Sequence, residues 1–347
     1  MRDEGRPRLD GWPLRAALAA LSVAALVLAI GLAVSTGEMR IPLAAALGAI
    51  CDRIFGTAFA PSRIQAGIVW DYRLSRALVA ACCGATLALC GAILQALLRN
   101  PLAEPYVLGI SAGASTGAVA VLIVGFGGDV LTLSGGAFLG AVAAVALVAL
   151  LAAGAGGGTD RVILAGVAGS QLFNAVTSYI VTTSASAEQA RGVMFWLLGS
   201  LGGVRWPDVY LAAPVALAGF AVAAFHARAL DAFAFGSDAA AALGVPVGRV
   251  RAVLFGLTAA MAATMVSMVG SIGFVGLVVP HAARFLVGPG HARLLPASLV
   301  MGAIFMVLAD VVSRILVPQQ VLPIGVVTAL VGAPAFAAIL YRSRRLA

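Results

Sequence analysis

Long apolar runs separated by short polar breaks make up most of the chain. A helix needs about 20 residues to cross a hydrocarbon core roughly 30 Å thick. Runs of that order lie near 14–36, 77–98, 106–125, 131–154, 162–184, 207–229, 251–271, 274–288, 295–317 and 322–341. The pattern predicts an all-α, polytopic integral membrane protein of about ten transmembrane helices, the eighth of them short. All of it, residues 1–347, is predicted to form a single transmembrane domain. The first run is followed by no small-residue cleavage site, so it is expected to stay as an anchor.

Two polar breaks carry structure of their own. In the stretch 37–76, on the outer side, IPLAAALGAICDRIF reads as a short amphipathic helix in the membrane interface. WDYRLSR then leads into the second crossing. The segment 230–250, LDAFAFGSDAAAALGVPVGRV, predicts a short cytoplasmic helix. Ser237 is expected to cap it, Asp238 to favour its N-terminal dipole and Gly244 to end it. Such a helix suits either an ordinary loop or a groove in a partner. Paired glycines in GASTG (113–117) and GAFLG (136–140) are spaced for close helix approach.

Composition strengthens the membrane assignment: 62% of residues are hydrophobic, 10% are charged, and mean hydropathy is +1.05. Net charge is +8, and every basic residue is arginine. With both termini cytoplasmic, 14 of the 22 arginines fall on the inner side. They are Arg2, Arg6, Arg8, Arg15, Arg99, Arg161, Arg228, Arg249, Arg251, Arg284, Arg293, Arg342, Arg344 and Arg345. The charge therefore reads as positive-inside bias; without a basic stripe interleaved with aromatics, nucleic acid is not an expected partner. The absence of lysine excludes a standard P-loop, whose lysine must reach the β and γ phosphates. ATP hydrolysis must come from another chain. Cys51, Cys82, Cys83 and Cys90 form no CxxC pair and read as small apolar filler.

Few polar groups lie inside the crossings, where each is costly and usually has a role. Asp310 and Arg314 stand four apart and can pair. Arg314 lies at the outer rim, as do Arg73 and Arg76, so these cations are either structural or presented outward. Ser170, Gln171, Asn174, Thr177 and Ser178 recur at helical spacing in the fifth crossing, as one stripe that faces other helices or a solute path. His281, in VVPHAAR, is conceivable as a metal or haem ligand but reads better as a structural histidine. GISAG (109–113) matches the G-x-S-x-G pattern in form only. That motif needs a strand-to-helix turn, and Ser111 opens a transmembrane run, so a membrane hydrolase is disfavoured. No catalytic or metal-binding residue is assigned.

RNPLAEPYVLGISAGA, FVGLVVPHAAR, LLPASLVMGA, LADVVSR and LPIGVVTALVGAPAF resemble, in that order, the permease subunits of type II ABC importers, the vitamin B12, iron-siderophore and haem family. The likeness runs from about 73 to 341. It implies a homodimer with a substrate path on its two-fold axis, two cytoplasmic ATPase subunits carrying ATP and Mg, and a periplasmic substrate-binding protein. It implies an inner-membrane location and no cofactor on this chain.

The resemblance also assigns residues. RNPLAEPYVLG joins the second and third crossings, where the family has a cytoplasmic gate. Asn100 and Leu102 match gate positions, with Pro101 and Pro105 fixing the backbone around them. Thr159 and Asp160 match a second gate. Arg73 and Arg314 match cations that meet glutamates of the binding protein. The 237–244 helix, with Ser237, Asp238, Ala241, Leu243 and Gly244, matches the helix docked on the ATPase. Ser170, Gln171, Asn174 and Ser178 are taken as the path lining. Two positions depart from the pattern: Ser75 stands where the family has proline, and Val321 where it usually has glutamate.

A path rich in Ala, Gly, Val and Leu favours haem as cargo, ahead of ferric siderophores and cobalamin. A non-transporting receptor would leave the polar stripe and the cytoplasmic helix without purpose.

Overall fold

The computed structural model describes residues 12–37, 39–56, 62–128, 130–154 and 159–343. Arg2, Arg6, Arg8, Arg344 and Arg345 lie outside the described residues, as do the side chains of Arg15, Thr159 and Arg342.

The first apolar run forms α1 (Trp12–Ser35). The amphipathic helix expected in the outer stretch is α2 (Leu43–Phe55), with Ala46 and Ala49 buried and Leu47, Ile54 and Phe55 exposed. Gly56, at φ +68°, closes it in the left-handed conformation that glycine adopts without penalty. The second crossing begins earlier than its hydrophobicity suggests. Ser62 Oγ accepts from the Gln65 N–H at 3.1 Å and starts α3 (Arg63–Gly67). π-helical turns over Ile68–Leu74 then carry it into α4 (Ser75–Leu97). WDYRLSR is thus the outer part of the crossing rather than a leader to it.

α4 is apolar on every side, the composition of a helix surrounded by others, and 20 of its 23 residues are buried. It packs on α9 (Trp206–Phe225), α12 (Val247–Val269), α13 (Val275–Val287) and α14 (His291–Ile315). Backbones touch where glycines meet: a Cβ on Gly91 would lie 1.8 Å from the Gly276 carbonyl oxygen.

α5 (Ile110–Val119), extended by a π turn to Val124, lies on α6 (Leu133–Gly154). The expected glycine pairs form, Gly113 against Gly140 and Gly117 against Gly136. α7 (Thr159–Ser184) packs on α5 along one side and is open on the other. α8 (Ala187–Leu197) opens with a reciprocal Ser186–Gln189 capping box. α10 (Ala227–Phe233) and α11 (Ser237–Ala242) separate α9 from α12, and α15 (Ile324–Ser343) follows α14.

Among the described residues, seven helices are long and apolar enough to cross a membrane, and apolar helices at 110–124, 275–287 and 324–338 are shorter. They correspond to the ten predicted crossings. α13, with 13 residues, measures about 20 Å, and non-helical chain at 270–274 precedes it. This non-helical stretch is buried in protein, where irregular backbone at membrane depth is tolerated. The Ile272 N–H donates to the Tyr106 hydroxyl oxygen, Ser111 Oγ donates to Ser271 Oγ at 2.7 Å, and Ser200 N–H donates to the Val269 carbonyl at 2.8 Å.

Candidate functional site

The polar segment after α4 is a knot of local bonds. Arg99 takes a left-handed φ of +47°, and Asn100 Oδ1 accepts from the Leu102 N–H at 2.9 Å, the side-chain turn that asparagine makes readily. The Asn100 carbonyl accepts from the Ala103 N–H at 3.0 Å. Pro105 starts a 3₁₀ turn, Pro105–Leu108, that ends at Gly109 with φ +73°. Leu102 is left 44% exposed on this frame.

Two neighbours hold the knot, and a third lies beside it. A Cβ on Gly166 of α7 would lie 1.7 Å from the Val107 carbonyl oxygen, so the two backbones are in contact. The Glu104 carboxylate accepts from the backbone N–H of Phe274, at the start of α13. Burial pushes this carboxyl above the ordinary carboxylate range, and the Phe274 bond opposes the rise. The Arg99 guanidinium reaches Gly236, which precedes α11.

Asp160 is exposed in the first turn of α7. Among the described residues, no hydrogen bond joins it to Asn100 or Leu102. The single polar stripe expected on α7 divides in two. Thr177 is buried, its Oγ1 2.8 Å from that of Thr116. Ser170 is half-buried beside Gly109, while Gln171, Asn174 and Ser178 lie on the open face. The division arises because Thr177 turns toward α5, about a hundred degrees per residue around the helix from Ser178.

The short helix at 237 forms, with a correction to its start. Gly236, at φ +102°, is the flanking residue, so Ser237 stands inside the first turn and makes no cap. Its Oγ accepts from Arg251 Nη2 at 2.9 Å instead. Asp238 occupies the first turn, Ala240 is buried, and Ala241 and Leu243 are exposed. Gly244 ends the helix at φ +82°. Asp231, on α10, accepts from the His291 backbone N–H at 2.8 Å and lies 2.6 Å from His291 Nδ1, which ties the approach to α11 onto α14.

At the opposite end, Arg73 and Arg314 do not present free cations, as the sequence reading expected of a docking pair. Arg73 is 8% exposed and donates to the carbonyls of Val34, Ser35 and Met39. Arg314 donates to Thr36 at 2.6 Å and Ala33 at 3.0 Å. The C-terminal carbonyls of a helix lack intrahelical donors and carry partial negative charge, and the two guanidiniums satisfy those of α1. Asp310 pairs with Arg314 at 3.1 Å, as expected, and also with Arg76 at 2.8 Å. The Arg314 contact is ionic without hydrogen-bond geometry, since Asp310 Oδ2 has no hydrogen-bond partner among the described residues. Ser75, where the family has proline, lies between these arginines and donates to the Asp71 carbonyl at 2.7 Å.

Sequence reasoning passed over Glu104, Tyr106 and Gln95. Gln95 Nε2 donates to the Gly276 carbonyl at 3.0 Å and its Oε1 accepts from Arg284 at 2.6 Å. An amide inside the apolar run 77–98 was the available signal. His281 meets Phe285 edge-on, ring centroids 5.2 Å apart.

This arrangement has known counterparts. The FecCD transport family pattern matches residues 17–342. The cobalamin import system permease protein BtuC of Halobacterium salinarum is 41% identical over 270 residues, 78% of this chain and 72% of the relative. The Fe(3+) dicitrate transport system permease protein FecD of Escherichia coli is 37% identical over 280 residues, 80% of this chain and 86% of the relative. A solved inward-facing ABC transporter, assigned to the metal-chelate type, superposes with a TM-score of 0.82 at 29% identity, over 94% of this chain and 99% of that one. These relatives are transport components rather than enzymes. With that coverage, and with the predicted crossings in place, the chain belongs to the FecCD transport family, the permeases of type II ABC importers.

Proposed function

We propose that two copies of this chain form the path of an ATP-driven importer for a metal chelate in the bacterial inner membrane, with both termini cytoplasmic. Two separate ATPase subunits carry ATP and Mg, and a periplasmic protein delivers the cargo. The observation that carries this reading is the knot at 99–109. It presents exposed Leu102 on a frame fastened to α7 and α13, with the Arg99 guanidinium beside the entry to α11. A change at α11 on ATP binding would reach Asn100 and Leu102 through Arg99. Thr159 and Asp160, at the start of α7, form the second closure, and the open face with Gln171, Asn174 and Ser178 lines the path beside Ser170. α11 seats on the ATPase through Ala241 and Leu243, with Asp238 and Gly244 fixing its ends.

Arg73 and Arg314 take no docking role in this reading, because their guanidiniums are occupied by the end of α1. The cargo reading also shifts. The names of the two relatives above carry cobalamin and ferric citrate, and neither carries haem. Cobalamin is the first candidate, on the 41% relative, then a ferric chelate, with haem behind both.

Proteoliposomes holding the chain, its ATPase and its binding protein test this. ATP-dependent uptake of labelled cobalamin above that of ferric citrate and haem is the expected result. Uptake of none of the three, or ATP hydrolysis by the chain alone, overturns it.

A further inference from the structure

At the arginine-rich end of the bundle, a cavity of about 580 Å³ opens between α4, α6, α7 and α12. That volume falls within the range of about 300–1,000 Å³ typical of small-molecule sites. Leu97, Leu108, Val145, Val148 and Phe255 give it an apolar wall, and among the described residues Arg251 is the one charged residue lining it. Gly248 and Gly256 border its open space, where a Cβ on either would meet nothing within 4 Å among the described residues.

Arg251 is incompletely satisfied. One nitrogen donates to Ser237 Oγ at 2.9 Å, and the guanidinium lies 5.8 Å from the Phe233 ring centroid. Its Nε is buried and has no acceptor among the described residues. A guanidinium carries five N–H donors in a planar fork suited to phosphate. An apolar chamber in the membrane part of a bundle, with a partly unsatisfied arginine at its polar end, matches a ligand with one anionic head and a hydrocarbon tail.

We propose that this cavity binds an anionic phospholipid, an acyl chain in the chamber and the phosphate on Arg251. The cation selects the head by charge, as basic pockets between transmembrane helices do, and the apolar wall supplies affinity along the chain. Because the same guanidinium holds Ser237, the bound lipid stands one residue from α11 and stiffens its attachment to α12. The site is independent of which cargo the protein moves.

Native mass spectrometry of the full chain, titrated with phosphatidylglycerol or phosphatidylcholine in detergent, tests the assignment. The unmodified chain is expected to retain one phosphatidylglycerol more tightly than phosphatidylcholine. Arg251→Gln should weaken that lipid about fivefold, and Arg251→Lys should restore part of the loss. Ala149→Phe, which fills the chamber, should weaken both lipids and keeps the test valid should Arg251→Gln fold poorly. Equal retention of the two lipids by the unmodified chain overturns the proposal, as does unchanged binding in both Arg251→Gln and Ala149→Phe. Efficient crosslinking between copies through Ala252→Cys also overturns it, by assigning the cavity to a second copy.

Discussion

The guanidinium of Arg76 stands 2.8 Å from the carboxylate of Asp310, joining the outer start of α4 to the outer end of α14. Asp310 is fully buried, and Arg314 approaches its other oxygen from one helical turn along. Removing one partner of a buried ion pair leaves an uncompensated charge, at a cost of about 3–5 kcal/mol. Asp310→Asn strands two arginines at once. Thermal unfolding in detergent should show a large loss for it and a smaller one for Arg76→Gln, which leaves Arg314 in place. Equal midpoints for Asp310→Asn and the unmodified chain would show that the pair is not holding α14.

Gly91 has no room for a methyl group against Gly276, whereas Gly192 on α8 has nothing within 4 Å. Gly91→Ala should therefore destabilise by about 1–3 kcal/mol or more. Gly192→Ala should be neutral or gain about 0.4–1 kcal/mol by restricting the unfolded chain. Comparing the two midpoints separates steric contact from backbone entropy; a reversed order would refute the contact.

Glu104 gives a pH dependence. Its folded-state proton affinity is raised by burial, so its contribution to stability is present below the unfolded pKa, about 4.3, and is lost as pH rises through the folded value. Glu104→Gln keeps an acceptor for the Phe274 N–H and removes the buried charge. Its melting temperature should exceed that of the unmodified chain at pH 8, with the gap closing toward pH 4. A gap that widens on acidification would contradict the assignment.

Cysteines at Gln171, Asn174 and Ser178, in a background lacking the four native thiols, should react with a water-soluble maleimide in proteoliposomes. Thr177→Cys, turned toward Thr116, should stay protected. Uniform reactivity along α7, or protection at all four, would remove these residues from an aqueous path.

Ala241 is exposed on α11 while Ala240 beside it is buried. Ala241→Glu should leave thermal stability unchanged and lower affinity for the ATPase by about tenfold or more, the scale expected for a charge buried without a partner. Pull-down with the ATPase reads this directly, and unchanged capture would exclude α11 as the contact.

The crossings, the glycine pairs and the knot were legible because each is written in local sequence. Apolar length gives a crossing, four-residue glycine spacing gives close approach, and Asn100 between arginine and proline gives a turn. Residues that act across the fold were not. Arg73 and Arg314 read as outward cations because nothing near them in sequence reveals that the end of α1 covers them. Ser237 read as a cap because its serine-aspartate start is sound, but the left-handed Gly236 moved the helix boundary by one residue. α13 was legible as short; what precedes it was not, since the bonds of 270–274 go to Tyr106, Ser111 and Glu104.

The burial of α4 bears on how the protein is made. α4 leaves the ribosome second among the crossings, while α9, α12, α13 and α14, which enclose it, follow more than a hundred residues later. Until then α4 stands in lipid, which its apolar surface allows at little cost because acyl chains resemble the neighbours to come. Its glycines remain bare through that interval, and Gln95 waits for Gly276 and Arg284. Assembly is thus governed by contacts far apart in the chain, a topology that folds slowly. A truncation anywhere before α14 would release a central helix with its casing incomplete, a substrate for membrane quality control rather than a partial transporter.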